Sequence, residues 1–358
     1  MGELEKKTRN HTADFLKGVM ILCVMYGHSI SMINSLRGAN WQESIVNVFL
    51  TSFEMPLFIL ISGYFLWFSL SKKPHLHVLR KRVISIILPL LVWDVFPVVF
   101  QFRYEIINTA LLLSIAKRMC YRLVFPALWF LGCYLICTGL VIVTEWVISK
   151  IHHEKARGTL GVIIYILWIT GLHCINLSFN NVPFMFPFFL VGFILSKYNL
   201  LKNKTVRRII WGLAVLFIVL YPFYSPEISF YTLGSYLLDN TLIRMPIFFY
   251  RFVLGLAGCS FFYLIADRLC RKAAEHCVVS LIIKFGNKTM ELYILSMFVQ
   301  EILIKLVKML IQDVSVITDI TAPLLLGPLF LIVMSAICML IDYFIHKWPK
   351  LHRVIFGR

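Results

Sequence analysis

The sequence predicts an all-α, polytopic integral membrane protein of about ten transmembrane helices with both termini in the cytoplasm. Three observations carry that expectation. The 358 residues are 59% hydrophobic and only 15% charged, with a mean hydropathy of +0.82, a balance foreign to soluble domains of this length. The apolar residues fall into runs of about 20, enough to cross a hydrocarbon core of about 30 Å at about 1.5 Å rise per residue. The basic residues collect in alternate connections between those runs.

Taken in order, the runs cover about 15–35, 44–70, 84–102, 122–148, 159–176, 182–197, 208–224, 241–266, 289–311 and 321–345. The first carries Asp14-Phe-Leu-Lys17-Gly18 at its foot and His28 well inside it. It is longer than the apolar region of a signal peptide, about 7 to 15 residues, and no Ala-x-Ala site follows, so it is read as a retained span. Eleven residues separate Lys17 from His28, about 16.5 Å along a helix, which puts the cation near the membrane surface and the imidazole in the interior. The second run holds Ser52-Phe-Glu54-Met-Pro56-Leu-Phe and Ser62-Gly63-Tyr64. Pro56 is expected to kink it in mid-helix and Gly63 to admit a close neighbour. A carboxylate at the depth of Glu54 needs a proton or a cation, and the nearest span in sequence offers His28.

The third run follows the cluster Arg80, Lys81 and Arg82, and the fourth starts near Trp129. The connection 103–121 is apolar enough for an interfacial helix. Asp94, Arg244, Arg251, Glu291, Glu301, Lys305 and Lys308 read as helix-to-helix ion pairs, with Glu301 and Lys305 one turn apart. His75, His77, His152 and His153 fall in cytoplasmic loops and receive no role. The domain organisation is a cytoplasmic segment 1–13, one membrane-embedded domain 14–345 and a cytoplasmic tail 346–358.

The net charge of +17 fits orientation rather than nucleic-acid binding, because 26 of the 35 Lys and Arg lie on one side of the ten-span arrangement. The opposite connections hold only Arg37, Arg103, Lys117, Arg118 and Arg122. Nine cysteines, mostly inside apolar runs and without a Cys-x-x-Cys pair, predict neither a disulfide framework nor a zinc site.

The ordered set of motifs resembles the acyltransferase type 3 family of integral membrane acyltransferases. It comprises Asp14-Phe-Leu-Lys17-Gly18, His28 eleven residues after Lys17, Phe-x-Met-Pro-Leu-Phe with Ser62-Gly63-Tyr64, Leu88-Pro89, Leu128-Trp129-Phe130-Leu131, the stretch ending in Gly192, and Leu292-Tyr293-Ile294-Leu295. The resemblance implies an O-acyltransferase that moves acetyl from acetyl-CoA, or another acyl-CoA, to a hydroxyl of a cell-surface or exported polysaccharide, from a place in the cell membrane. It implies an acyl-CoA donor that is a substrate rather than a permanently bound cofactor, a glycan or lipid-linked saccharide acceptor, membrane lipid around the chain, and neither nucleic acid nor metal. Acyl transfer from a thioester to a hydroxyl needs a base near neutral pH, which suits imidazole. His28 is the expected general base, with Glu54 orienting it or supporting its charged form. Lys17, Arg80, Lys81 and Arg82 are expected to hold the phosphates of coenzyme A. Trp129 is read either as an interface anchor or as a sugar contact. Two departures stand out: the residues just before Pro89 lack a second basic residue, and Ser296 stands where relatives often carry histidine. The competing expectation is a transporter of a glycan or lipid-linked sugar, which needs buried charges and many spans but no histidine at fixed spacing from a cation. A glycan polymerase would carry a larger outer loop.

Overall fold

The computed structural model describes residues 10–40, 43–95, 113–114, 117, 128–174, 181–228, 241–273, 275–310 and 317–357. Within them lie thirteen α-helices and no strand. Contacts divide the chain into two units: residues 1–58, 205–226 and 253–338 form the first, and residues 59–204, 227–252 and 339–358 the second.

In the first unit, helix α1 (His11–Arg37) starts at Asn10, whose side chain accepts from the Ala13 N–H at 3.1 Å, and stops at Gly38, left-handed at φ 68°. Helix α2 (Ile45–Thr51) packs on it, and helix α3 (Glu54–Leu70) begins here before continuing into the second unit. Helices α8 (Lys204–Leu220) and α9 (Thr241–Ala273) bring Phe217 and Phe262 to Phe53, with Phe262 also against Phe49 and Phe261 against Phe217. Gly258 seats that layer, since a Cβ there would stand 2.6 Å from Phe53. Helix α10 (Cys277–Asn287) crosses the foot of α1 in backbone contact. A Cβ at Gly18 would lie 1.9 Å from the Ile282 carbonyl oxygen, and one at Gly286 would lie 1.8 Å from that of Asp14. Helix α11 (Thr289–Leu310) packs along α1 as well. A π-type turn, Ala322–Leu326, leads into helix α12 (Gly327–His346). The Tyr26 hydroxyl donates to the Pro323 carbonyl in that turn, and Arg37 pairs with Asp319 at 2.8 Å.

In the second unit, α3 and helix α7 (Asn181–Lys197) meet through two glycines: a Cβ at Gly63 would fall 2.0 Å from the Phe189 carbonyl, and one at Gly192 1.9 Å from that of Leu60. The close approach read from Ser62-Gly63-Tyr64 is therefore present. Helix α4 (His75–Leu90) runs into a π-type turn, Leu91–Val95, and packs on helix α5 (Trp129–Ser149). Helix α6 (Glu154–Cys174) is tied to α5 by the bond from Trp168 Nε1 to Thr144 Oγ1 at 3.1 Å. Residues 349–356, expected within a tail, form helix α13 (Pro349–Phe356), docked on α4.

Seven helices among the described residues are long and apolar enough to cross a membrane: His11–Arg37, Ile45–Leu70, Trp129–Ser149, Glu154–His173, Lys204–Phe223, Pro246–Ala273 and Ala322–His346. This makes the chain an all-α polytopic membrane protein. The other three expected spans differ for separate reasons. Helix α7 has only 17 residues. Helix α11 carries Glu291, Glu301, Lys305 and Lys308 in 22 residues. The run 84–102 passes through Pro89 and the π-type turn and then leaves the described residues. Most of the expected connection 103–121 and Arg122 also lie outside them, as do the side chains of Asp94 and Arg244.

Two further expectations change. Pro56 does not kink a continuous helix: the helix is interrupted at Ser52 and Phe53, and Pro56 sits in the first turn of α3, where a missing N–H removes no helical bond. Glu301 and Lys305 are both exposed and form no ion pair with each other; exposed side chains gain little from pairing and lose rotamer freedom.

Candidate active site

The interruption of the second span determines where Glu54 stands. It is the first residue of α3, buried to 5% exposure, at the end of a helix where backbone N–H groups lack helical partners. That end carries the positive pole of the helix dipole, worth about 0.3–1 kcal/mol to a nearby carboxylate and up to about 2 when partly buried. Glu54 Oε2 has no hydrogen-bond partner among the described residues.

His28 stands on α1, half-buried, with its Nδ1 buried and likewise without a partner among the described residues. The register between α1 and the α2–α3 pair follows from two contacts. A Cβ at Gly27 would sit 3.5 Å from Asn47 Oδ1 and 3.8 Å from Leu50 Cδ1, and the Glu54 carboxyl lies within electrostatic reach of the Cys23 thiol. Cys23 is five residues before His28, about 7.5 Å along the axis. The imidazole and the carboxyl therefore occupy neighbouring levels without a hydrogen bond between His28 Nδ1 and Glu54 Oε2. A polar atom buried without a partner costs about 1–3 kcal/mol.

At the foot of α1, Lys17 pairs with Asp14 at 2.7 Å, its side chain 24% exposed and that of Asp14 9%. Gly18 beside it is required by the α10 crossing, which accounts for the glycine of the Asp14–Gly18 motif on packing grounds. Lys17, His28 and Glu54 belong to the first unit; Arg80, Lys81, Arg82 and Trp129 belong to the second. Arg80 and Lys81 are exposed on α4, while Arg82 is half-buried and donates from Nη2 to Ser69 Oγ at 3.4 Å. Trp129 opens α5, half-buried, edge-on to Phe130 with centroids 5.9 Å apart. Ser296 is fully buried and returns its hydroxyl to the Tyr293 carbonyl at 2.9 Å, a helix-internal bond rather than a substitute for imidazole chemistry.

Sequence reasoning missed a polar cluster in the second unit. Lys197 bonds both oxygens of Glu145 at 2.8 Å, and the Tyr165 hydroxyl donates to Oε1 at 3.0 Å. These bonds tie α5, α6 and α7 together. Lys197 reads as a loop cation in the sequence because its partner is 52 residues away. Arg251 is fully buried with its guanidinium 5.5 Å from the Phe184 ring centroid, and Asp342 faces His352 at 3.7 Å.

With this geometry in place, comparison with known proteins is informative. The sequence model of the acyltransferase domain family matches residues 10–343. Nodulation protein NolL of Mesorhizobium japonicum is 25% identical over 215 residues, 58% of this chain and 53% of that protein. Nodulation protein NolL of Sinorhizobium fredii is 29% identical over 85 residues, 24% of this chain and 23% of its own length. The chain thus spans about half the length of one curated relative and less than a quarter of the other. No solved structure matches. The family match covers the motifs from Asp14 to Leu295 and nearly the whole chain, so this multi-pass membrane protein belongs to the acyltransferase type 3 family.

Proposed function

We propose that the protein is an integral membrane O-acyltransferase of the cell membrane that transfers acetyl from acetyl-CoA to a hydroxyl of a cell-surface or exported polysaccharide. The observation that carries the reading is His28: an imidazole nitrogen buried inside a span without a partner, eleven residues beyond Lys17, in a chain of the acyltransferase family. As the acceptor oxygen attacks the thioester carbonyl, His28 takes the hydroxyl proton; the carbon–sulfur bond then breaks and the departing coenzyme A sulfur receives that proton from the imidazolium. Glu54, on the neighbouring level, supports the transient positive charge electrostatically and needs no direct bond to do so. Lys17 and the cluster Arg80, Lys81 and Arg82 hold the donor phosphates, and Trp129 contacts the sugar.

Purified protein supplied with radiolabelled acetyl-CoA and a membrane-glycan acceptor fraction tests the assignment. His28→Ala should lose turnover by about 100-fold or more with coenzyme A binding retained, whereas Lys17→Ala should mainly weaken that binding. A His28→Ala protein that still transfers acetyl at the wild-type rate would refute it. Glycan translocation without acyl transfer would favour a transporter.

A further inference from the structure

The last helix of the chain is not assigned a role by the acyl-transfer reading. Helix α13 is fixed to α4 by backbone contact and by a hydrogen bond. Gly357, left-handed at φ 69°, lies so close to Ser85 that a Cβ would stand 2.0 Å from the Ser85 carbonyl oxygen. Trp93 Nε1 donates to the Ile355 carbonyl at 3.0 Å. On the inner face His352 and Phe356 are buried, with His352 facing Asp342. On the other face Lys350 and Arg353, three residues apart and therefore side by side, are exposed.

Short links connect that face to the cluster on α4. The Gly357 N–H bonds the Arg353 carbonyl at 2.8 Å, Gly357 abuts Ser85, and Ser85 Oγ bonds the Arg82 carbonyl at 3.0 Å. The helices that carry the two basic segments are thus packed on each other within the second unit. The stretches 64–93 and 343–358 contain no Asp or Glu, and the neighbouring Asp342 is buried against His352 on the inner face. Arg82 also bonds Ser69 and Lys347 stands over the Tyr343 ring at 4.6 Å, while Lys72, Lys73, Arg80 and Lys81 on the α4 side and Lys350 and Arg353 on α13 are exposed charges.

We infer that α13 completes a polyphosphate-binding face, Lys350 and Arg353 joining Arg80 and Lys81 to hold the anionic end of coenzyme A. This rests on the acyl-CoA reading above. A donor with a diphosphate and a separate 3′-phosphate presents negative charge at two separated points, and cations on two docked helices match that better than a single cluster. Because α13 is already tied down, binding does not have to order it.

Equilibrium binding of coenzyme A and of 3′-dephospho-coenzyme A to the full-length purified protein provides the test. The double variant Lys350→Gln with Arg353→Gln should bind coenzyme A about ten-fold more weakly at low salt, with a gap that narrows as salt rises. It should lose less affinity for the 3′-dephospho form. Gly357→Val, which keeps both charges but cannot hold the left-handed contact on Ser85, should weaken binding in the same way. Melting curves of both variants show whether the rest of the fold persists. Wild-type affinity in the double variant would overturn the inference, and more so if that variant had instead lost stabilisation by phosphatidylglycerol nanodiscs, which would make the face a lipid site. A wild-type protein that binds no coenzyme A would count against the donor reading itself.

Discussion

A carboxylate buried to 5% exposure within a span is tolerated here because Glu54 sits on a helix end, and its free oxygen adds nothing to stability through hydrogen bonding. The proposed role beside His28 would account for a carboxyl that adds nothing to packing. Glu54→Leu is expected to melt at or above the wild-type temperature while losing at least ten-fold in turnover, and Glu54→Gln is expected to keep the fold with a smaller loss. Thermal unfolding in detergent alongside the acetyl-transfer assay checks both halves. A Glu54→Leu protein that is strongly destabilised would mean that the carboxyl is structural. At this scale the sequence was readable in part. The spacing of Lys17 and His28 on α1 and the place of Glu54 in the second apolar run are visible in the chain. The missing bond between His28 and Glu54 was not visible, because it depends on the register of α1 against α2 and α3, which Gly27, Asn47 and Leu50 set.

Among the elements, glycine decides which helices touch. Gly18 and Gly286 let α1 and α10 meet backbone to backbone, and the obstructing atoms are carbonyl oxygens that cannot rotate away. Gly286→Ala should therefore destabilise the protein by about 1–3 kcal/mol, as overpacking does, and displace the Asp14–Gly18 foot on which Lys17 stands. Gly139→Ala, in α5 with nothing within 4 Å of its Cβ position, serves as the control and should be neutral or slightly stabilising. Melting temperatures of the two variants side by side decide. The role of Gly63 was legible from its place in an apolar span, but that of Gly18 was not, because residues 277–287 look like part of a basic connection until α10 is seen to lie on α1. The tie between Glu145 and Lys197 was likewise hidden, since periodicity within a helix says nothing about a partner two helices away.

For the whole molecule, composition and the distribution of Lys and Arg fix the class and predict the orientation. Helices α7, with 17 residues, and α11, with four charged side chains, fall outside the seven long apolar helices, and the expected ten-span orientation requires both to cross. The positive-inside rule places Leu76, His153, Asn203 and Glu275 on the cytoplasmic side. Single cysteines at those positions, in a background without the nine native ones, should react with an impermeant thiol reagent only from that side. Labelling of residue 203 from outside would break the ten-span arrangement. The claim on which the whole account depends is that His28 moves the proton during acyl transfer. Its most direct measurement is single-turnover transfer of labelled acetyl by purified wild-type and His28→Ala protein at saturating acetyl-CoA. The account predicts a drop of about 100-fold or more with unchanged coenzyme A affinity; equal single-turnover rates in the two proteins would contradict it.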